Sequence, residues 1–147
     1  MKINFKQTDL PDLAKKIINK LARQKSNGAI VLALTGDLGT GKTTLTKEIA
    51  KQLGIKKNII SPTFVIMKFY SLPKDQKILP SLKKLVHLDA YRLEDENDLL
   101  KIGWQEIMTE PNLVIVEWPE IVKKEIPQNA LLVKLSHIDE KTRQACF

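Results

Sequence analysis

The segment "LTGDLGTGKTTL" (Leu34 to Leu45) limits the fold of this chain more than any other stretch. Gly36, Gly41, Lys42 and Thr43 fit the phosphate-loop spacing G-x-x-x-x-G-K-[ST], which is credible only between a strand and a helix. Both flanks are readable. "AIVLAL" (Ala29 to Leu34) is a continuous apolar run of strand length, suited to the middle of a sheet covered on both faces. A helix starting near Lys42 places Leu45, Ile49, Ala50 and Leu53 on one face and stops at Gly54.

The remainder of the chain supplies partners for that unit. Ahead of it, Leu10, Leu13, Ala14, Ile17, Ile18 and Leu21 follow helical spacing, with Thr8 read as the N-cap, Pro11 in the first turn and "NG" at Asn27–Gly28 as the end. Behind it, "SPTFVIMKFY" (Ser61 to Tyr70) reads as a loop entering a strand. "LVHLD" (Leu85 to Asp89) and "NLVIVEW" (Asn112 to Trp118) are apolar strands that each end in an acid. "EDENDLLKIGWQEIM" reads as one helix with Asp95 as its cap, and "ALLVKL" and "RQACF" as late strands. The polar "SLPKDQKILPSLKK" reads as a surface hairpin or insertion. Alternating strands and helices predict an α/β fold with a mostly parallel central sheet and helices on both faces. At 147 residues this is one P-loop domain over 1–147, with a single core.

The net charge of +7 raises nucleic acid as a partner, but of 24 basic residues only Arg23, Arg92 and Arg143 are arginine. Bidentate reading of phosphate or guanine favours arginine, so the charge reads as general surface basicity. Cys146 is the single cysteine, which excludes an internal disulfide, and no C-x-x-C or Cys/His cluster suggests zinc. The opening "MKINFKQTDLPDLAKK" is too polar for a secretory signal, and no apolar run reaches the ~20 residues of a membrane span. The expected compartment is the cytoplasm, with no membrane contact.

The chemistry centres on the phosphate loop. Gly36, Gly39 and Gly41 let the backbone curl so that the N–H groups of the stretch Asp37, Leu38, Gly39, Thr40, Gly41, Lys42, Thr43 and Thr44 surround phosphate oxygens. Lys42 would neutralise the β- and γ-phosphates, and Thr43 would offer its hydroxyl to Mg2+. The strand-end acids Asp89 and Glu117 fall on the same sheet edge, where ligands of such folds bind. "LVIVE" has the Walker B pattern, which makes Glu117 the first choice for the metal, directly or through water. Asp89 would orient the attacking water or hold a metal-bound one. Lys42, Asp89 and Glu117 are thus the expected catalytic set.

Other candidates divide between two readings. Ser61 and Thr63 in "SPTF" are either a γ-phosphate sensor or an ordinary proline turn. His87 reads as a satisfied core histidine, and His137 has no neighbours to recruit. Trp118 packs, covers a nucleotide or anchors a partner. GTP is disfavoured because the nearest thing to a guanine reader, "NKLA", lacks its aspartate and precedes the phosphate loop. Three scattered arginines fit a kinase lid poorly, so an ATPase remains. A small-molecule kinase and a non-hydrolysing, nucleotide-gated adaptor are the rivals.

"GDLGTGKTTL", "SPTF", "HLDAYRL" and "VEWPE", in that order and at those separations, resemble the TsaE (YjeE) family, and the likeness runs from the first helix to the last strand. The resemblance implies an ATP- and Mg2+-dependent ATPase. It would support the TsaD–TsaB heterodimer in forming N6-threonylcarbamoyladenosine on tRNA, with TsaD performing the transfer and any tRNA contact here indirect or weak. It implies that Lys42 and Thr43 hold phosphate and magnesium, that Asp89 is the family's important aspartate, and that Glu117 is its Walker B glutamate. It also places Thr8 near the base and Arg143 near the nucleotide. The connection Leu72 to Lys84 is longer than the family's usual one.

Overall fold

In the computed structural model, which describes residues 1–147, the order is β1 (Lys2–Phe5), α1 (Leu10–Leu21), β2 (Ile30–Thr35) and α2 (Lys42–Gln52). There follow β3 (Met67–Ser71), β4 (Lys84–Asp89), α3 (Glu96–Lys101), α4 (Trp104–Thr109), β5 (Asn112–Glu117), β6 (Leu131–His137) and β7 (Arg143–Cys146). Short 3-10 segments at 7–9, 90–92 and 119–125 join them. All seven strands form one sheet in the order β1-β7-β6-β2-β5-β4-β3. The inner four run parallel, while β3, β7 and β1 are antiparallel to their neighbours.

Period-two alternation divides the core between the two faces of the sheet. On β5, Leu113 and Ile115 join the cluster built with α1 and α2, while Val114 and Val116 join the cluster built with α3 and α4. All six residues of β5 are buried, which explains why its sequence is a run of apolar residues and not an alternation. Leu45 of α2 is fully buried and seats the phosphate loop's helix on the sheet. Truncating a leucine in such a position costs about 2–5 kcal/mol.

Several elements depart from the sequence reading. The stretch from Glu94 to Met108 is two six-residue helices, because Gly103 adopts φ +86° between them. Asp95 does cap the first, accepting from the Asn97 N–H at 2.9 Å. Thr8 is not the N-cap of α1. It lies in the 3-10 turn, and Asp9 precedes the helix and accepts from the Lys6 N–H at 2.8 Å. α1 ends at Leu21, ahead of Asn27–Gly28. β1 carries only the brief alternation Lys2-Ile3-Asn4-Phe5, with Phe5 in the core and Ile3 against it, and it forms by pairing with β7. The connection from Leu72 to Lys83 links the antiparallel pair β3–β4 and contributes Leu72, Leu79 and Leu82 to the core.

Candidate functional site

Register places the site. Asp89 and Glu117 pair across the parallel strands β4 and β5, so both carboxylates arrive at one sheet edge beside the β2–α2 loop. Both are buried, at 4% and 2% exposure. The loop between β2 and α2 begins at Gly36, where φ is +144° and a Cβ would stand 2.3 Å from the Leu135 carbonyl oxygen, so only glycine fits. Gly41 at φ +102° turns the chain into α2, whose first N–H groups lack intrahelical acceptors and face the loop's concavity. Thr40 is buried and closes the loop from inside, its hydroxyl donating to the Asp37 carbonyl at 2.8 Å.

Lys42 is held within this loop. Its ammonium donates to the Gly36 carbonyl at 2.5 Å and the Asp37 carbonyl at 2.9 Å, and lies 4.3 Å from the centre of the Trp118 ring. Burial lowers its pKa from the ordinary lysine value, and the charges of Glu117, Glu120, Asp89 and Asp37 oppose that shift. A partly desolvated ammonium of this kind is a strong partner for phosphate oxygens. Trp118 carries φ +59°, a left-handed backbone unusual for a bulky residue, which swings the indole back over Lys42 and against Tyr91, with ring centres 5.0 Å apart.

The Thr43 hydroxyl donates to Glu117, 2.9 Å from Oε1 and 3.2 Å from Oε2. Asp89 accepts from the Tyr91 N–H at 3.0 Å and from the Thr63 hydroxyl at 3.0 Å, and Thr63 is itself 2.7 Å from the Ser61 hydroxyl. The "SPTF" segment therefore reaches the site through Asp89. It approaches through Ile66, which sits at φ +68° and whose carbonyl accepts from the Asp89 N–H at 2.8 Å.

Two grooves meet at the loop. One, of about 220 Å³, is lined by Leu38, Lys42, Thr43, Thr63, Asp89 and Glu117. The second, of about 490 Å³, is lined by residues that include Thr8, Lys141 and Arg143. They share Gly39, Gly41 and Thr44. The structure thus brings both Thr8 and Arg143 to one open groove beside the phosphate loop. Arg143 is tied down there, donating to the carbonyls of Asp139, Glu140 and Thr142. Arg92 lies over the exposed Phe64 ring, 4.7 Å from its centre. His137 stays at the end of β6, outside both grooves.

The sequence profile described as "Threonylcarbamoyl adenosine biosynthesis protein TsaE" matches residues 6–145. The chain belongs to the TsaE family. Curated proteins named "tRNA threonylcarbamoyladenosine biosynthesis protein TsaE" are similar to it along most of their length. The one from Bacillus subtilis is 36% identical over 132 residues, covering 90% of this chain and 77% of that protein. The one from a Nostoc species is 40% identical over 121 residues, covering 80% and 68%. A crystal structure of Bacillus subtilis YdiB superposes with a TM-score of 0.68 at 29% identity, covering 99% of this chain and 83% of that one. Membership of the TsaE family connects the chain to threonylcarbamoyladenosine biosynthesis, and no helix is long and apolar enough to cross a membrane.

One contact of this TsaE site departs from the sequence reading. His87 is not a fully satisfied core histidine. Its Nε2 lies 2.8 Å from Glu117 Oε1, and its Nδ1 is buried with no partner. The sequence carried half of the signal, since His87 and Asp89 stand two residues apart on one strand and hence on one face; the other half is the register with β5.

Proposed function

We propose that this chain is a Mg2+-dependent ATPase whose hydrolysis supports turnover of the TsaD–TsaB transferase. The observation that carries the reading is the pairing of Thr43 with Glu117 at 2.9 Å at the mouth of the phosphate loop, with Asp89 one strand over. A hydroxyl and one or two carboxylates form the all-oxygen donor set that magnesium takes when phosphates and waters complete its shell. The residues therefore fit the metal, with Thr43 and Glu117 as its holders. Bound magnesium would neutralise charge on the β- and γ-oxygens.

The chain's own groups do the rest. Backbone N–H groups from Gly39 to Thr44 cradle the phosphates, and Lys42 leaves its carbonyl partners for phosphate oxygens. Asp89, anchored by the Tyr91 N–H, has an oxygen directed by Thr63 and can orient an attacking water. The second groove takes the nucleoside, with Thr8 and Arg143 on its wall. Positive charge for the transition state is scarce, because no arginine lines the groove of Lys42, Thr43, Asp89 and Glu117, and Arg143 is held by turn carbonyls. That scarcity supports slow hydrolysis by the isolated protein, with docking on TsaD–TsaB completing the site.

Calorimetric titration with ATP, with and without magnesium, tests binding. Mass analysis of the products then separates the readings. ADP and inorganic phosphate as the only products support the ATPase, whereas phosphate on any added acceptor would establish the kinase reading. Nucleotide that stays intact even with the TsaD–TsaB pair present would establish a gated adaptor.

A further inference from the structure

His87 is the one buried polar side chain whose hydrogen-bonding capacity is left partly unmet, and the place where this occurs is informative. The residue is fully buried in the middle of β4, between Leu85 and Asp89 on the face that α2 covers. An apolar residue at this position would leave no orphaned Nδ1, and buried polar groups without partners are rare enough to need a reason. The reason lies at the other ring nitrogen. Nε2 donates to Glu117 Oε1 at 2.8 Å, the only ion-pair-range contact in the chain. The bare Nδ1 suits the Nε2–H tautomer, since an orphaned lone pair is tolerated better than an orphaned N–H.

We propose that His87 is a positioning residue that fixes the Glu117 carboxylate for magnesium. Oε1 receives both the imidazole N–H and the shorter Thr43 contact, while Oε2 has only the 3.2 Å approach of Thr43. The imidazole thus pins one oxygen and leaves the other, on a residue that lines the groove, with a single longer contact and free to meet a hard cation. Without the ring, rotation about the last side-chain torsion of Glu117 is opposed by Thr43 alone, and Thr43 is itself a metal holder. Partners of this outer kind set metal affinity through the orientation of the ligand they hold.

The inference rests on the MgATP reading of the site, and the test separates the two. Calorimetric affinities for ATP, with magnesium and with EDTA, are compared for wild type, His87→Leu and His87→Gln, alongside thermal melting. His87→Leu removes the donor, and Gln places an amide N–H near the position of Nε2. The expected result is that magnesium tightens wild-type binding and that His87→Leu loses about tenfold or more of that gain. Its magnesium-free affinity and melting temperature should hold, and His87→Gln should recover most of the loss. If His87→Leu does not fold, His87→Asn takes its place, since its shorter amide cannot reach Glu117; the loss should then appear in Asn and not in Gln. A folded Leu or Asn variant that keeps the full magnesium gain overturns the positioning role. Wild-type protein that binds no ATP would overturn the MgATP reading itself.

Discussion

The strand ends β4 and β5 and the segment from Ser61 to Ile66 face each other across the groove, and they are built on opposite principles. At the strand ends, Asp89 and Glu117 are buried, in register, and bonded to backbone or to neighbouring side chains. The facing segment contains no regular structure, exposes Phe64 at 84% and Val65 at 56%, and turns through a strained Ile66. Its principal side-chain tie to the site is the Thr63–Asp89 hydrogen bond at 3.0 Å. Few buried contacts and two ties to Asp89, the Thr63 hydroxyl and the Ile66 carbonyl, make such a segment cheap to rearrange, while the strand ends can move only with the core. In the proposed function, the fixed half holds MgATP and the loose half decides when it is cleaved.

The contrast can be broken most severely at Asp89. Asp89→Ala should leave MgATP affinity close to wild type while lowering the hydrolysis rate by about 10²–10⁴, the range for a group that orients or accepts a proton from the nucleophile. Parallel calorimetry and phosphate release would check this; a loss of affinity with little loss of rate would assign the metal to Asp89 instead. Lys42→Ala comes next. Removing a charge-assisted contact worth about 1.5–3 kcal/mol should weaken ATP binding by about one to two orders of magnitude. Unchanged affinity by titration would take Lys42 out of the site.

Glu117→Ala should act through magnesium, reducing the metal's enhancement of ATP binding by about tenfold to a hundredfold, at least as much as His87→Leu, and leaving magnesium-free binding intact. Comparing titrations in magnesium and in EDTA reads this directly. The smallest effect belongs to the loose half. Thr63→Val cuts its tie to Asp89, a net loss of about 1 kcal/mol, and should alter the basal hydrolysis rate by only a few-fold with unaltered ATP affinity. A change in affinity as large as that of Lys42→Ala would show that the segment belongs to the fixed half after all.

Which parts were legible in the sequence follows the same division. β2, the phosphate loop and α2 were readable because the loop's glycines and the flanking apolar patterns describe the same local structure. The acid-terminated strands β4 and β5 were readable for the same reason: a run buried on both faces is apolar until it reaches the edge. β1 was not, since its strand character comes from pairing with residues more than 130 positions away. The break at Gly103 was obscured by apolar spacing that continues through it, and only the positive φ reveals two helices. Thr8 and Arg143 reach the second groove through the pairing of β1 with β7, which no local pattern encodes. The His87–Glu117 contact was missed because a histidine inside an apolar strand looks like packing until the neighbouring strand's register is known.

The central claim is that the fixed half binds MgATP and that the partner supplies what the loose half lacks. Steady-state phosphate release from the purified protein, measured alone and with the TsaD–TsaB pair, tests it most directly. The expected result is slow release by the protein alone and a clear rise on adding the pair, up to the ~10³–10⁵ that a cation delivered to the transition state can contribute. Fast release by the isolated protein, unchanged when the pair is added, would contradict it.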